Sequence, residues 1–349
     1  MDRKIKVIVV DDSALMRKII SDMINEQEDM EVVAIARNGE ELLKKLEVIT
    51  PDVITLDIEM PILDGISTLK VLKEKKIASK IIMLSSLTKD GAEITMDCLA
   101  LGAFDFVCKP SGAISLDIDT VKDDLIKKIR NEKRTIKSIS IRNKTNLNFM
   151  ERLRKKETNH KDINAVVIGA STGGPKALYS VITGLPKNLG VPIFVVQHMP
   201  VGFTKAFAER LDRGSNLKVV EAEDRMRIEE NVVYVARAGY HMEVEGNYIR
   251  LTDTSPVCGV KPAVDRLFIS ASKVYGSKLL SVVLTGMGKD GANGTIEVKN
   301  RGGYTMAEDE STCIIYGMPK AAFETNKVDE VLPLHYVSSR ITKVVRGVD

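Results

Sequence analysis

The chain has 349 residues, 44% hydrophobic and 28% charged, with a net charge of +3. That length suits two domains of roughly 100–200 residues each, and the near-neutral balance gives no general electrostatic case for binding nucleic acid. The N-terminus, MDRKIKVIVVDD, lacks the apolar core and cleavage site of a secretory signal. No run of about 18 apolar residues exists to span a membrane, so a protein not inserted in membranes is expected. Cys98, Cys108, Cys258 and Cys313 are scattered without a CxxC pair, which reads as reduced thiols of a cytoplasmic protein and not as a zinc site.

Residues 5–10 (IKVIVV) read as a buried strand, followed by a helix marked by Leu15, Ile19, Ile20 and Met23 at helical spacing. The alternation repeats, with strands near 31–36, 52–57, 80–85 and 104–108 and helices near 40–48, 65–75, 90–101 and 118–133. Five strand–helix units predict a parallel sheet covered on both faces, an α/β domain over residues 1–126. Residues 127–161 are rich in Lys, Arg and Asn and poor in large apolar side chains, which reads as a helix end followed by a solvated basic linker. A second α/β pattern fills residues 162–349, with strands at 164–170, 192–198, 217–222, 232–236 and 278–285. Its helices are expected at 175–183, 203–212, 262–274, 291–300 and 335–345. MEVEGNYIRLT (242–252) alternates around Gly246-Asn247, a hairpin signal, so this doubly wound domain should carry an antiparallel piece.

Ligands of an open parallel sheet bind beyond the carboxyl ends of its strands. In the first domain those ends hold Asp11 and Asp12, Asp57, Ser85 and Lys109. Three carboxylates at one edge repel one another and need a cation, and an all-oxygen set without His or Cys favours Mg²⁺ or Mn²⁺. A metal, a lysine and a hydroxyl around one aspartate suit phosphoryl transfer to that aspartate. The motifs VVDDS, TLDIEMPILDG, MLSS and VCKP resemble the response-regulator receiver domain over about residues 3–125. That resemblance implies that Asp57 accepts a phosphoryl group from a histidine kinase. It further implies that Asp12 and Asp57 bind Mg²⁺ with Asp11 in support, that Ser85 senses the phosphoryl group and that Lys109 pairs with it.

The second domain opens on VVIGASTGGP (166–175). The glycine-rich turn lacks the GK[ST] ending of a P-loop and the spacing of a dinucleotide fingerprint, whereas Gly169 to Gly173 fits G-x-S-x-G with Ser171 as nucleophile. Of four histidines, His160 falls in the linker and His335 near the terminal helix. His198 ends the strand PIFVVQ at the edge where Ser171 should lie, and His241, just before the hairpin, is its rival. An orienting carboxylate is offered by Asp290 in MGKDGANG, with Asp265 in KPAVDRLF as the rival. Backbone N–H groups at Thr172 and Met287 are the expected oxyanion donors.

IGASTGGP, VVQHMP, KPAVDRLF and VVLTGMGKDGANG resemble the catalytic domain of the chemotaxis protein-glutamate methylesterases, the CheB family. The resemblance implies a Ser171–His198–Asp290 triad without a cofactor. The implied reaction is hydrolysis of glutamate methyl esters, and deamidation of certain glutamines, on methyl-accepting chemotaxis receptors, with a chemotaxis histidine kinase as phosphodonor. The competing reading is a receiver-containing regulator that docks on receptors without catalysis. One departure stands out: ARAGYHM carries Arg237 where the family often has proline, which bears on the loop before His241.

Overall fold

The computed structural model of the chain describes residues 3–109, 118–130 and 162–348, which fall into two units, Met1–Ser140 and Ile141–Asp349. In the first unit the elements run β1 (Ile5–Val10), α1 (Ala14–Asn25), β2 (Met30–Ala36), α2 (Gly39–Lys45), β3 (Val53–Asp57) and α3 (Gly65–Glu74). They continue with β4 (Lys80–Ser85), α4 (Lys89–Leu101), β5 (Asp105–Cys108) and α5 (Ile118–Arg130). β3 is buried along its whole length, as a central parallel strand must be. Ser13, Asn38, Asp64 and Thr88 start α1 to α4 by accepting a first-turn N–H on their side chains. Ile5, Val7 and Val9 of β1 pack with Ile20 and Ile24 of α1 and Leu125 and Ile129 of α5, each such buried side chain contributing about 1.5–3 kcal/mol.

The five strands are parallel in the order β2-β1-β3-β4-β5. The winding reverses between β1 and β3, so the crevice of this sheet opens at the ends that carry Asp11, Asp12 and Asp57. Residues 127–130 of the basic stretch form the last turn of α5, with Ile129 buried, and residues 131–161 lie outside the described residues.

The second unit contains β6 (Ala165–Ala170), α6 (Gly174–Thr183), β7 (Ile193–Gln197), α7 (Phe203–Gly214), β8 (Lys218–Glu221), β9 (Val232–Val235), β10 (His241–Glu245) and β11 (Tyr248–Thr252). There follow α8 (Val264–Tyr275), β12 (Leu279–Val283), α9 (Ala292–Asn300), β13 (Tyr304–Glu308), α10 (Met318–Glu324), β14 (Glu330–Leu332) and α11 (Leu334–Arg346). Seven strands form one parallel sheet in the order β14-β13-β12-β6-β7-β9-β8, and β10 and β11 form the expected hairpin. Winding starts at β6, runs outward through β7, and resumes on the other side with β12. The carboxyl ends of β6 and β12 therefore flank the switch point.

Three elements have no counterpart in the sequence reading: β13, α10 and β14. β14 has three residues, too few to show a period. β13 ends in Glu308, a charged residue that is fully buried.

Candidate active site

In the first unit β1 pairs with β3 in a register that sets Val10 beside Leu56, so Asp11 and Asp57 follow side by side on neighbouring strands. Ser85 stands opposite Cys108 at the ends of β4 and β5, which delivers Lys109 to the same edge. Its Nζ lies 2.9 Å from Asp11 Oδ2 and 2.6 Å from Asp57 Oδ2. Asp11 and Asp57 are buried and Asp12 is exposed, and ligand oxygens of the three lie within 4.8 Å of one another. Burial pushes the Asp57 carboxyl up to about 6, against the pull of Lys109. Burial works against the Lys109 charge, but bonds to Asp57 and Asp11 outweigh it and hold the ammonium above its ordinary value.

Asp11 Oδ2 and Asp57 Oδ2 are buried and meet the Lys109 ammonium as their one donor and counter-charge among the described residues. Three carboxylates against one ammonium leave an excess of negative charge on hard oxygen donors, which fits a divalent cation such as Mg²⁺. Ser85 is buried and engaged by α4: its Oγ lies 3.3 Å from Gly91 O and accepts a hydrogen bond from Thr95 Oγ1 at 2.7 Å.

In the second unit β6 is buried throughout and ends at Ala170. Ser171 follows, half-buried, and the chain turns at once into α6 with Pro175 in the first helical turn, where its missing N–H costs little. Ala170 of β6 pairs with Gln197 of β7, and the His198 N–H donates to Ala170 O at 3.1 Å. Ser171 and His198 are thus the next residues out on adjacent strands. No side-chain hydrogen bond joins them among the described residues. On the other flank, the Ser171 N–H donates to Thr285 O at 3.0 Å. Gly286 allows this approach, since a Cβ there would lie 2.8 Å from Ser171 Cβ.

His198 Nε2 lies 2.9 Å from Asp290 Oδ2. Asp290 is buried, and its carboxylate also accepts the N–H of Val264 at 2.7 Å and of Asp265 at 2.9 Å, at the start of α8. The rival Asp265 is buried too. It accepts from the N–H groups of Gly291 and Gly294 at 2.9 and 2.7 Å and from Asn293 Nδ2 at 3.2 Å, at the start of α9. Burial raises the pKa of Asp265 above the ordinary carboxylate value, against these donors.

The rival His241 is fully buried and both its nitrogens are in use. Nδ1 accepts the Ala263 N–H at 3.1 Å, so Nε2 carries the proton and donates to Ser255 O at 3.1 Å. Burial depresses its pKa and keeps it neutral. His335 lies against Tyr336 in α11, the two rings tilted at 48° with centroids 4.2 Å apart, and His160 lies outside the described residues. Arg237 is exposed with its guanidinium over the Tyr240 ring, 5.6 Å from the centroid.

Neither the Thr172 nor the Met287 N–H donates a hydrogen bond among the described residues. The backbone around them is nonetheless held. Thr285 Oγ1 lies 3.1 Å from Thr172 O and accepts the Ile315 N–H, while the Thr285 N–H donates to Glu308 Oε2 at 2.8 Å. Burial raises the Glu308 carboxyl to about 7. Thr285, Glu308, Gln197 and the capping role of Asp265 were not singled out from the sequence. The available signal was a polar residue at the end of an otherwise apolar strand, as in VVQ and TMAE.

Residues 166–341 match the CheB methylesterase family and residues 7–118 match the response regulator receiver domain. A protein-glutamate methylesterase/protein-glutamine glutaminase of Clostridium acetobutylicum is 56% identical over 350 residues, covering 99% of each chain. One of Pyrococcus abyssi with the same name is 44% identical, covering 98% of this chain and 94% of its own. The crystal structure of the Thermotoga maritima CheB methylesterase catalytic domain aligns at a TM-score of 0.52 with 43% identity, covering 53% of this chain and all of that one. The chain belongs to the CheB methylesterase family and joins a receiver domain to a methylesterase domain.

Proposed function

We propose that this chain is a phosphorylation-controlled serine hydrolase. It removes methyl esters from glutamates, and deamidates particular glutamines, on methyl-accepting chemotaxis receptors. The reading assigns residues 1–126 to the receiver, 127–161 to a basic linker and 162–349 to catalysis, in a cytoplasmic protein. Among the described residues no helix is long and apolar enough to cross a membrane. The observation that carries the catalytic reading is the 2.9 Å bond between His198 and Asp290, placed one strand from Ser171 at the sheet's switch point. The non-catalytic alternative has no such observation in its favour.

With His198 Nε2 donating to Asp290, Nδ1 is the nitrogen left to take the proton of Ser171 Oγ. Oγ attacks the ester carbonyl, and the charge that develops on the carbonyl oxygen is met by the Thr172 and Met287 N–H groups, which hold no other acceptor among the described residues. The C–O bond breaks as the imidazolium returns its proton to the departing methoxide, releasing methanol. Water then attacks the acyl-serine with His198 again as base, leaving the glutamate carboxylate and regenerating Ser171. A glutamine substrate follows the same route with ammonia as leaving group. No step calls for a cofactor.

In the receiver, Asp57 is the acceptor for a chemotaxis histidine kinase, and Asp11, Asp12 and Asp57 would hold Mg²⁺, which would supply positive charge against the phosphoryl oxygens. Lys109 contacts both buried carboxylates and is placed to pair with the new phosphoryl oxygens. Ser85 leaves its bonds to α4 to meet them. Methanol release from methylated receptor membranes, with and without a small-molecule phosphodonor, tests the reading. Wild type should respond to the donor and Ser171→Ala should release none. A Ser171→Ala protein with a tenth of wild-type activity would sink the nucleophile assignment.

A further inference from the structure

Gln197 ends β7 and is 2% exposed, a polar side chain buried at the close of the apolar run IFVV. Its Nε2 donates to Ser171 O at 2.9 Å and to His198 O at 3.0 Å. Both partners are carbonyl oxygens, so the atom facing them is the amide nitrogen and each N–H serves one of them. A single NH₂ group therefore ties together the backbones of two residues that come from different strands and share no side-chain hydrogen bond of their own. The remaining strand-to-strand link nearby is the His198 N–H to Ala170 O bond, one residue further back.

The other end of the amide is also committed. Gln197 Oε1 is buried without a hydrogen-bond partner among the described residues. It lies against Gly174, the first residue of α6, where a Cβ would come within 2.0 Å of it. An apolar side chain of similar length would fill this space without stranding an acceptor. The glutamine accepts that cost while its nitrogen makes both carbonyl bonds. Its geometry is specific to two donors: glutamate of the same shape has none when ionised, and methionine has none at any pH.

We propose that Gln197 is a positioning residue for the hydrolytic reaction, fixing the separation of Ser171 and His198 through their carbonyls. This rests on the reading of Ser171 and His198 as nucleophile and base. With the tie gone, the turn after β6 and the residue after β7 are joined only through the strand ladder, and the serine oxygen and imidazole lose their registration. Substrate contacts made elsewhere on the surface stay as they were, so the loss falls on the chemical step.

The test uses the full chain with phosphodonor present, comparing wild type, Gln197→Met, Gln197→Glu and Ser171→Ala in methanol release from methylated receptor membranes. Both Gln197 variants keep KM within about twofold and lose about 10- to 100-fold in kcat, the scale expected for misplacement of reacting groups by an ångström or less. In Gln197→Glu the rate relative to wild type rises as pH falls, because the protonated carboxyl regains one donor. A folded variant with kcat within twofold of wild type overturns the proposal, and so does a loss confined to KM. Should Gln197→Met fail to fold, the isosteric glutamate variant decides alone, and a pH-independent ratio there overturns it. Ser171→Ala separates the two levels: activity in that protein defeats the nucleophile reading, whereas inactivity there with unimpaired Gln197 variants defeats only the role given to Gln197.

Discussion

Asp265 and Asp290 each cap the helix that begins beside the other. Asp290 accepts the N–H groups of Val264 and Asp265 at the start of α8, and Asp265 accepts those of Gly291 and Gly294 at the start of α9. Carboxylates at helix N-termini satisfy orphan donors and sit well in the helix dipole. The arrangement also fixes the turn from which Asp290 reaches His198. Asp265→Ala is expected to lower unfolding stability by about 1–2 kcal/mol through loss of the α9 cap and to reduce turnover by loosening that turn. Asp290→Asn is expected to keep the fold and to lose roughly 10²–10⁴-fold in kcat, because an amide no longer stabilises the imidazolium. Denaturant melts and methanol release check both, and an unchanged midpoint in Asp265→Ala would refute the capping account.

The two histidines are expected to separate cleanly under mutation. His198→Ala should abolish ester hydrolysis with little change in stability. His241→Ala should act through stability, since it removes the acceptor of the Ala263 N–H and opens a buried space beside Met242 and Ala263. The pKa of His241 is depressed from 6.5 by burial, so its contribution is present above 6.5 and is lost as pH falls through the lower folded-state value. In thermal melts across that range, His241→Ala should blunt the acid destabilisation. An active His198→Ala protein would assign the base elsewhere.

Glu308 should make stability fall with rising pH. Its carboxyl titrates at about 7 in the fold against 4.5 for the free group, burial being the cause. The neutral form is therefore the favoured one inside. Stability is full below 4.5, declines between 4.5 and about 7, and is level above, a change of about 3 kcal/mol at most from that shift. Glu308→Gln should remove this decline and still accept the Thr285 N–H. Unfolding curves at pH 5 and pH 8 check it: equal pH dependence in wild type and variant defeats the account.

Asp57→Asn should hold the chain at its basal esterase rate whatever phosphodonor is added. It should also stabilise the receiver in the absence of divalent cations, because it removes one of two buried carboxylates that share Lys109. Mg²⁺ should then raise the receiver's melting temperature less in the variant than in wild type, since one ligand oxygen charge is gone. Calorimetry in EDTA and in millimolar Mg²⁺ measures both effects. A variant that is less stable than wild type in EDTA contradicts the charge argument.

The sequence by itself determined the two parallel sheets and the edge on which their chemistry lies. Asp11, Asp57, Ser85 and Lys109, and likewise Ser171 and His198, sit at or just past the carboxyl ends of apolar runs, and the topology of parallel strands sends such residues to one side. It also favoured His198 over His241, because His198 ends an apolar strand at the edge of Ser171, and Asp290 over Asp265, because Asp265 follows Pro262 at a spacing that puts it within a helix. Tertiary structure alone placed His198 against Asp290, because that contact joins residues 92 positions apart. It spent both nitrogens of His241 on backbone groups and gave Asp265 the start of α9. β13 and β14 extend the parallel sheet beyond β12, and the three residues of β14 are too few to carry a period. The roles of Gln197, Thr285 and Glu308 are likewise three-dimensional: a buried polar side chain is defined by the donors and acceptors that other segments bring to it, and those are not neighbours in the chain.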